Sequence, residues 1–490
     1  MNNENMAVKV FRTFKRDGLR GINEKIREHI CVKEADLKKE SYRDFLFVYS
    51  SDCKYEQKER EIFAGQMKML ELFNYSTELI EEKSFTEDHL RYFKVFVLGK
   101  CSEKREFENL FDKIKILNKK IVLLEELSDF QLYEDEAEYR DKSLSIMAKA
   151  KDLIQYYKSV LPHNIGIFLP GLAISGGIRV ALKHACILQE SGKDVTLFTL
   201  DSRQKWYDVD GHIFSVINLK ETNLYGCIDH AVATMWTTVP VVEQCSTAVR
   251  KSYLVQGFET DFYSSEDPFY VDANKTYSPH ISMKFFTVSK WCQKWLAEVF
   301  GQETVYIRNG IELEQFNEKK REFSGKIRIL IEGDCEAEYK NVDEAFQIVN
   351  ELDSQKYEIW YMSYNGKSKP QYRVDNFLHK VPYEKVAEVY QQCHILLKTS
   401  LLESFSYPPL EMMATGGYVV AVPNDGNAEY MVDEYNCLLY SAGDLDKAKE
   451  QIERICQDEN LRKKLTENAQ KTVAERDWKN IEPEILAFYQ

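Results

Sequence analysis

The chain has 490 residues, 44% hydrophobic and 13% aromatic, enough to bury several cores at roughly 100–200 residues per domain. Its formal net charge of −14 argues against a dedicated nucleic-acid binder, which neutralises phosphates with clustered Lys and Arg, and no run of about 18 apolar residues is present to span a bilayer. Eleven cysteines, scattered without a CxxC pair, read as reduced thiols of a cytoplasmic protein and not as a disulfide frame or a zinc site.

The opening stretch sets Lys9, Arg12, Lys15, Arg16, Arg20, Lys25 and Arg27 among Phe11, Phe14, Leu19, Ile22 and Ile26. It reads either as a segment lying on anionic lipid at the inner face of the cell membrane or as an ordinary packed helix weakened by Gly18 and Gly21. In the rest of residues 1–160, FLFVYS (45–50), KVFVLGK (94–100) and KIVLLEE (120–126) are expected to be buried strands. Charged helical segments fall around 57–72, 103–117 and 143–158, so the first unit reads as an accessory α/β domain.

A second unit, 161–315, starts with the strand IGIFLP, the loop GLAISGG (171–177) and a helix ending near Gly192. Strands are then expected at 194–200, 227–236, 251–257, 283–289 and 304–310. A third unit, 316–475, has its strands at 326–334, 357–364, 394–400 and 418–423. The last residues, 476–490, read as a helix broken near Pro483. Short apolar runs alternating with helices are the pattern of parallel α/β sheets.

The richest chemistry lies in LLKTSLLESFSYPPLEMMATGG (396–417). A strand ends near Ser400, a loop carries Glu403, and Pro408 and Pro409 suit a helix start, where a missing amide hydrogen costs little. The amides of Phe405, Ser406 and Tyr407 would point at an anion in front of that helix, and a diphosphate fits. Glu411 is expected in the helix's first turn. Both carboxylates would then face one cleft and accept hydrogen bonds from sugar hydroxyls, Glu411 from the nucleotide's ribose and Glu403 from the transferred sugar. The competing reading is that both simply complement the helix dipole.

Elsewhere the alternatives stay open. Ser175, Gly176 and Gly177 either let backbone approach a ligand in the cleft or form a tight turn. Asp201 after the second strand of that unit keeps a dinucleotide-dehydrogenase reading available, although the loop is not GxGxxG. His230 either bonds donor hydroxyls or is a satisfied core histidine. Asp208-Val-Asp210 spells the DxD of metal-dependent transferases but, beside Gly211, reads as a solvated turn.

Glu403 and Glu411 match the E-x7-E motif of the retaining GT-B glycosyltransferases of family GT4. VPYEKVAEVYQQCHILLKTSLLESFSYPPLEMMATGGYVVAV, SGGIRVALKHACILQESGKDVTLFTL, FFTVSKWCQKWL and YIRNGIELEQF resemble that family's segments in order, over roughly 160–480. The resemblance implies a GT-B fold: two facing Rossmann-like domains with the active site between them, here with the accessory domain added. It places the nucleotide sugar on 316–475 and the acceptor against 161–315, with helix 476–490 packing back on 161–315. It also implies transfer with retention of configuration, with no metal and no cofactor.

YLVQGFETDFY (253–263) and SYPPLEMMATGG (406–417) are similar to the WsaF-type rhamnosyltransferases. That branch uses dTDP-β-L-rhamnose to extend bacterial surface polysaccharides, so dTDP-rhamnose and a polysaccharide or lipid-linked glycan are the implied substrates. Gln256 carries over as a sugar contact. The branch's following Asp is Gly257 here, with Glu259 or Asp261 as substitutes. The family's phosphate-binding Arg, after the glycine matched by Gly333, falls on Asp334 and is absent. Lys340 matches the family's Lys with one residue inserted, and Lys380 matches a basic position of the branch, so both are expected at the diphosphate. The lost Arg leaves a second expectation, a catalytically degenerate relative that binds glycan or tethers partner enzymes.

Overall fold

The computed structural model describes residues 40–51, 56–99, 108–123, 141–161, 163–173 and 175–490; the basic opening stretch, with its expected lipid contact, lies outside the described residues. The chain forms three sheets. In the first, β1 (Glu40–Tyr49), β2 (Thr77–Glu81), β3 (Phe93–Leu98) and β4 (Lys120–Leu123) run parallel in the order β2-β1-β3-β4. Alternate residues of β1 serve opposite faces. Phe45 and Phe47 meet Phe63, Leu153 and Tyr157 of the helices Glu56–Glu71 and Asp141–Val160, while Leu46 and Val48 meet Leu90 and Ile114. Burial on both faces is why these strands read as unbroken apolar runs.

This sheet is fastened to the next by buried polar groups. The start of β1 pairs with β9 (Thr222–Leu224). The Asp44 carboxylate accepts from the Cys227 amide at 2.9 Å and pairs with Lys94 at 2.5 Å. Arg91 donates to the Val216 carbonyl, and Lys119 stands 3.8 Å from Asp194 with both groups buried. Charges out of water persist only when paired in this way.

The second sheet holds β5 (Asn164–Leu169), β6 (Asp194–Thr199), β7 (Trp206–Val209), β8 (His212–Asn218), β10 (Ile228–Ala233), β11 (Ala248–Val255), β12 (Lys284–Thr287) and β13 (Thr304–Tyr306), in the order β13-β12-β11-β10-β5-β6-β8-β7. Every pairing is parallel except β7–β8. The expected solvated turn at Asp208–Asp210 is the tip of that hairpin: Asp210 (φ +51°) and Gly211 (φ +79°) take the left-handed conformation that two-residue hairpin turns demand. Asp208 itself lies on β7.

The third sheet is wholly parallel: β14 (Ile327–Glu332), β15 (Tyr357–Ser363), β16 (Asn376–His379), β17 (Ile395–Lys398), β18 (Tyr418–Ala421) and β19 (Leu438–Leu439), ordered β16-β15-β14-β17-β18-β19. In both larger sheets the strand order reverses beside the first strand, and the carboxyl ends at such a switch point open a crevice.

The last helix, Trp478–Tyr489, runs uninterrupted through Pro483, and the expected break falls instead at Arg476–Asp477. Asp477 caps the helix by accepting from the Lys479 amide, and Pro483 sits early enough to forfeit a single intrahelical bond. Trp478, Ile481, Ile485 and Phe488 complete the core of the second sheet, with the Phe488 ring 4.2 Å from that of Phe286. Ile485 is fully buried, so Ile485→Ala is expected to lower stability by about 2–5 kcal/mol, measured by urea unfolding.

Candidate active site

The carboxyl ends of the second and third sheets face each other across a cavity of about 430 Å³. Ser175–Gly177 follow β5, Thr234 and Met235 follow β10, Gln256–Glu259 follow β11 and Trp291 follows β12; opposite them, Tyr339 and Lys340 follow β14 and Leu402–Phe405 follow β17.

The wall on the third sheet is built from two tied loops. Leu401 donates its amide to the Tyr339 carbonyl at 2.8 Å, and the Thr399 hydroxyl donates to the Lys340 carbonyl at 3.2 Å. This sets the Lys340 ammonium 2.6 Å from the Glu403 carboxylate. Lys398, at the end of β17 and 1% exposed, lies 3.7 Å from the same carboxylate and 2.5 Å from Glu332. Burial disfavours both charges of the central pair, but each partner outweighs it: Glu403 and Glu332 hold Lys340 above its ordinary value, and Lys340 and Lys398 hold Glu403 below the ordinary carboxylate range. Both groups are therefore ionised at neutral pH.

The chain then crosses the cavity wall through Glu403, Ser404, Phe405 and Ser406, whose amides donate no hydrogen bond among the described residues, before the helix Tyr407–Ala414 begins with Pro408 in its first turn. An array of open amides at a helix start, with a lysine beside it, suits an anion. The Phe405 ring is wedged against Tyr407 and Tyr430, with the Arg476 guanidinium 5.2 Å from its centroid. Ser406 is buried, and its carbonyl accepts from the Tyr430 hydroxyl.

Glu411 belongs to the second turn of that helix, not the first, because the helix starts at Tyr407. It is 5% exposed and does not line the main cavity. It neighbours Tyr390 and Arg179, and burial pushes its carboxyl up to about 7 against the pull of Arg179. Arg179 comes from the opposite domain and stacks over the Tyr383 ring at 3.0 Å, both lining a second, smaller interdomain crevice.

On the second sheet, Ser175 caps the helix Gly176–Glu190 by accepting from the Ile178 amide, and Gly176 and Gly177 present backbone to the cavity. Gln256 reaches across to the Gly177 carbonyl at 3.1 Å. At Gly257 a Cβ would lie 2.9 Å from the Ser404 hydroxyl, so the aspartate of the rhamnosyltransferase branch would require the Ser404 side chain to turn aside.

Besides Glu411, three expected site residues, His230, Lys380 and Gly333, lie outside the cavity, and Glu259 borders it with its carboxylate engaged. His230 is a core histidine, 2% exposed, hydrogen-bonded to Ser252 at 2.7 Å and packed on Phe488 and Tyr489; burial drops its imidazole to about 3. Glu259 borders the cavity, but its carboxylate is taken by the Trp236 amide at 2.7 Å and the Tyr253 hydroxyl at 3.1 Å, which makes it a strut for the β11 loop; Asp261 beside it is exposed to the cavity. Lys380 is exposed beyond β16, the edge strand two places from β14, and lies outside both cavities. Gly333 also lies outside them, its amide donating to Met362 and its carbonyl accepting from the Tyr361 hydroxyl. Asp334, where an Arg was expected, is turned to the Glu336 amide at 2.9 Å. Sequence reasoning missed Lys398, although a lysine closing an otherwise apolar buried strand was its signal.

Residues 373–472 match the family model described as glycosyl transferases group 1. The chain is 24% identical over 226 residues to the uncharacterized glycosyltransferase MJ1178 of Methanocaldococcus jannaschii, a match covering 44% of this chain and 61% of that protein. It is 24% identical over 267 residues to the O-antigen biosynthesis protein RfbC of Myxococcus xanthus, covering 53% of this chain and 20% of that protein. The chain thus spans about three fifths of the first relative and one fifth of the second. The crystal structure of Anabaena Alr3699/HepE in complex with UDP-glucose superposes with a TM-score of 0.53 at 14% identity, over 66% of this chain and 98% of that one. The fold is GT-B. The cavity is the interdomain cleft of that GT-B fold, with the matched group 1 segment supplying Glu403 and the amide wall, and with Glu411 buried behind them. Among the described residues no helix is long and apolar enough to cross a membrane, and no group of three His, Cys, Asp or Glu side chains is placed to hold a metal ion.

Proposed function

We propose that this chain is a retaining glycosyltransferase that moves a sugar from a nucleoside diphosphate onto a growing surface glycan. The observation that carries the reading is the Lys340–Glu403 pair set beside open amides in the cleft, with Glu411 eight positions further on. The amides and Lys340 stabilise the leaving diphosphate, where charge develops. Glu403, kept ionised, accepts from hydroxyls of the transferred sugar, and Glu411 accepts from the ribose. In a front-face displacement the leaving phosphate oxygen takes the acceptor hydroxyl's proton, so the protein's contribution is positioning and charge. No metal or cofactor enters this scheme. The link to surface glycans is supported by the similarity to an O-antigen biosynthesis protein, and the nucleotide-sugar donor by the fold shared with a UDP-glucose complex. The similarity of 253–263 and 406–417 to the WsaF-type branch favours dTDP-β-L-rhamnose as donor.

The protein incubated with a panel of sugar nucleotides and a lipid-linked glycan is expected to release nucleoside diphosphate with one of them, most strongly with dTDP-rhamnose, and NMR of the product is expected to show the donor's anomeric configuration. An inverted product would remove the retaining mechanism. The Asp334 substitution favours a second reading, a degenerate relative that binds glycan without turnover; binding of sugar nucleotide with no release across the panel would establish it instead.

A further inference from the structure

The charges on the phosphate wall of the cleft cancel. Lys340 and Lys398 both lean on Glu403, Lys398 is also held by Glu332, and the position where a further cation was expected carries Asp334. A diphosphate bringing two or more negative charges needs more than this wall supplies. From the other domain comes Arg179, in the first turn of the helix Gly176–Glu190, two residues beyond the glycines that line the cavity; its side chain lies in the neighbouring crevice and not in the cavity itself. Among the described residues its guanidinium is in no ion pair at contact distance, although its charge acts on the buried Glu411; it rests 3.0 Å from the centre of the Tyr383 ring. Tyr407, the first residue of the site helix, borders both the main cavity and the crevice in which Arg179 lies.

We propose that Arg179 is the second phosphate ligand, supplied across the cleft by the acceptor-side domain. Stacking on Tyr383 is its resting position. When the donor enters, the guanidinium leaves the ring for the diphosphate, whose oxygens its planar fork of donors matches two at a time. The arginine missing at 334 is thereby replaced from the opposite side, and the two domains are drawn together only when a diphosphate is present. This rests on the reading of the cleft as a diphosphate site.

Calorimetry at about pH 9, well above the Glu411 value of about 7 so that the ribose acceptor stays ionised, of the wild type, Arg179→Ala and Arg179→Lys, with dTDP or UDP and with the matching nucleoside, tests it. Arg179→Ala is expected to weaken the diphosphate by about 10-fold or more while leaving the nucleoside within about twofold, and Arg179→Lys to fall between. The difference is expected to shrink as salt is raised. Equal losses for nucleoside and diphosphate would make Arg179 a structural partner of Tyr383 and overturn the proposal, as would an unchanged diphosphate affinity. If Arg179→Ala does not fold, the lysine variant and Arg179→Gln carry the comparison. A wild type that binds neither diphosphate would sink the underlying reading as well, which keeps the two failures apart.

Discussion

Lys340→Ala is expected to lower kcat by about 10²–10³-fold, the loss that follows removal of one preorganised donor to a developing negative charge. The structure gives two reasons for an effect of this size. Lys340 is the cation of the third sheet that lines the main cavity, whereas Lys398 is 1% exposed and stands behind the carboxylate. Removing Lys340 also leaves Glu403 with one cation at 3.7 Å, so an excess negative charge faces the leaving group. Donor KM is expected to change much less than kcat, because the charge at stake grows in the transition state. Steady-state kinetics with the active sugar nucleotide measure the split; a variant that loses affinity and keeps kcat would show Lys340 to be a ground-state contact only. Acid unfolding gives an independent reading. Glu403 is held below the ordinary carboxylate range, so the native state gains stability from it above that range and loses it as pH falls through the folded value. Without Lys340 that gain shrinks, and the variant should unfold at higher pH than the wild type on acid titration.

The sheets were legible because their central strands are buried on both faces and read as largely apolar runs. FLFVYS, IGIFLP and KIRILI stand out from the charged helices around them for that reason. Three short or exposed strands were not: β16 alternates half-buried and exposed residues, β9 is three residues long, and β7 has no buried residue, so none carries the apolar signal. The site divides in the same way. Glu403 and the amide row follow from local chain order, since a strand, a loop and a Pro-led helix place them together, whereas Lys340 was expected there only by resemblance to the family. What lay out of reach depended on contacts across domains. Nothing in VQGFE reveals that Gly257 abuts Ser404, more than a hundred residues on, or that the Glu259 carboxylate is absorbed by Trp236 and Tyr253. Nothing in CIDHAV reveals that His230 will be sealed beneath the last two aromatic residues before the C-terminal glutamine. Arg179 carries no signal of a role within its helix, because its partner Tyr383 comes from the other Rossmann-like unit.

Glu411→Gln is expected to separate donor binding from stability, because one buried carboxyl serves both. Burial raises it to about 7, so between the ordinary carboxylate range and about 7 the native state holds a proton that the unfolded chain has lost. Its stabilising contribution is complete below the unfolded value and disappears as pH rises through about 7, by an amount on the order of a few kcal/mol. The glutamine variant has no such charge to bury, and thermal melts are expected to show it more stable than the wild type at pH 8 and similar at pH 5. Glu259 is raised to about 7 for the same reason and sits in both proteins, so the difference between them isolates Glu411. Binding should move the opposite way. A ribose diol donates two hydrogen bonds, which an ionised carboxylate accepts and an amide matches only in part. The wild type is therefore expected to bind nucleoside diphosphate more tightly at pH 8 than at pH 6, while Glu411→Gln binds at least about 10-fold more weakly at pH 8 with little dependence on pH. Calorimetry at the two pH values decides it. A variant that is stabilised at pH 8 and binds as the wild type does would leave Glu411 a buried acid with no hold on the ribose.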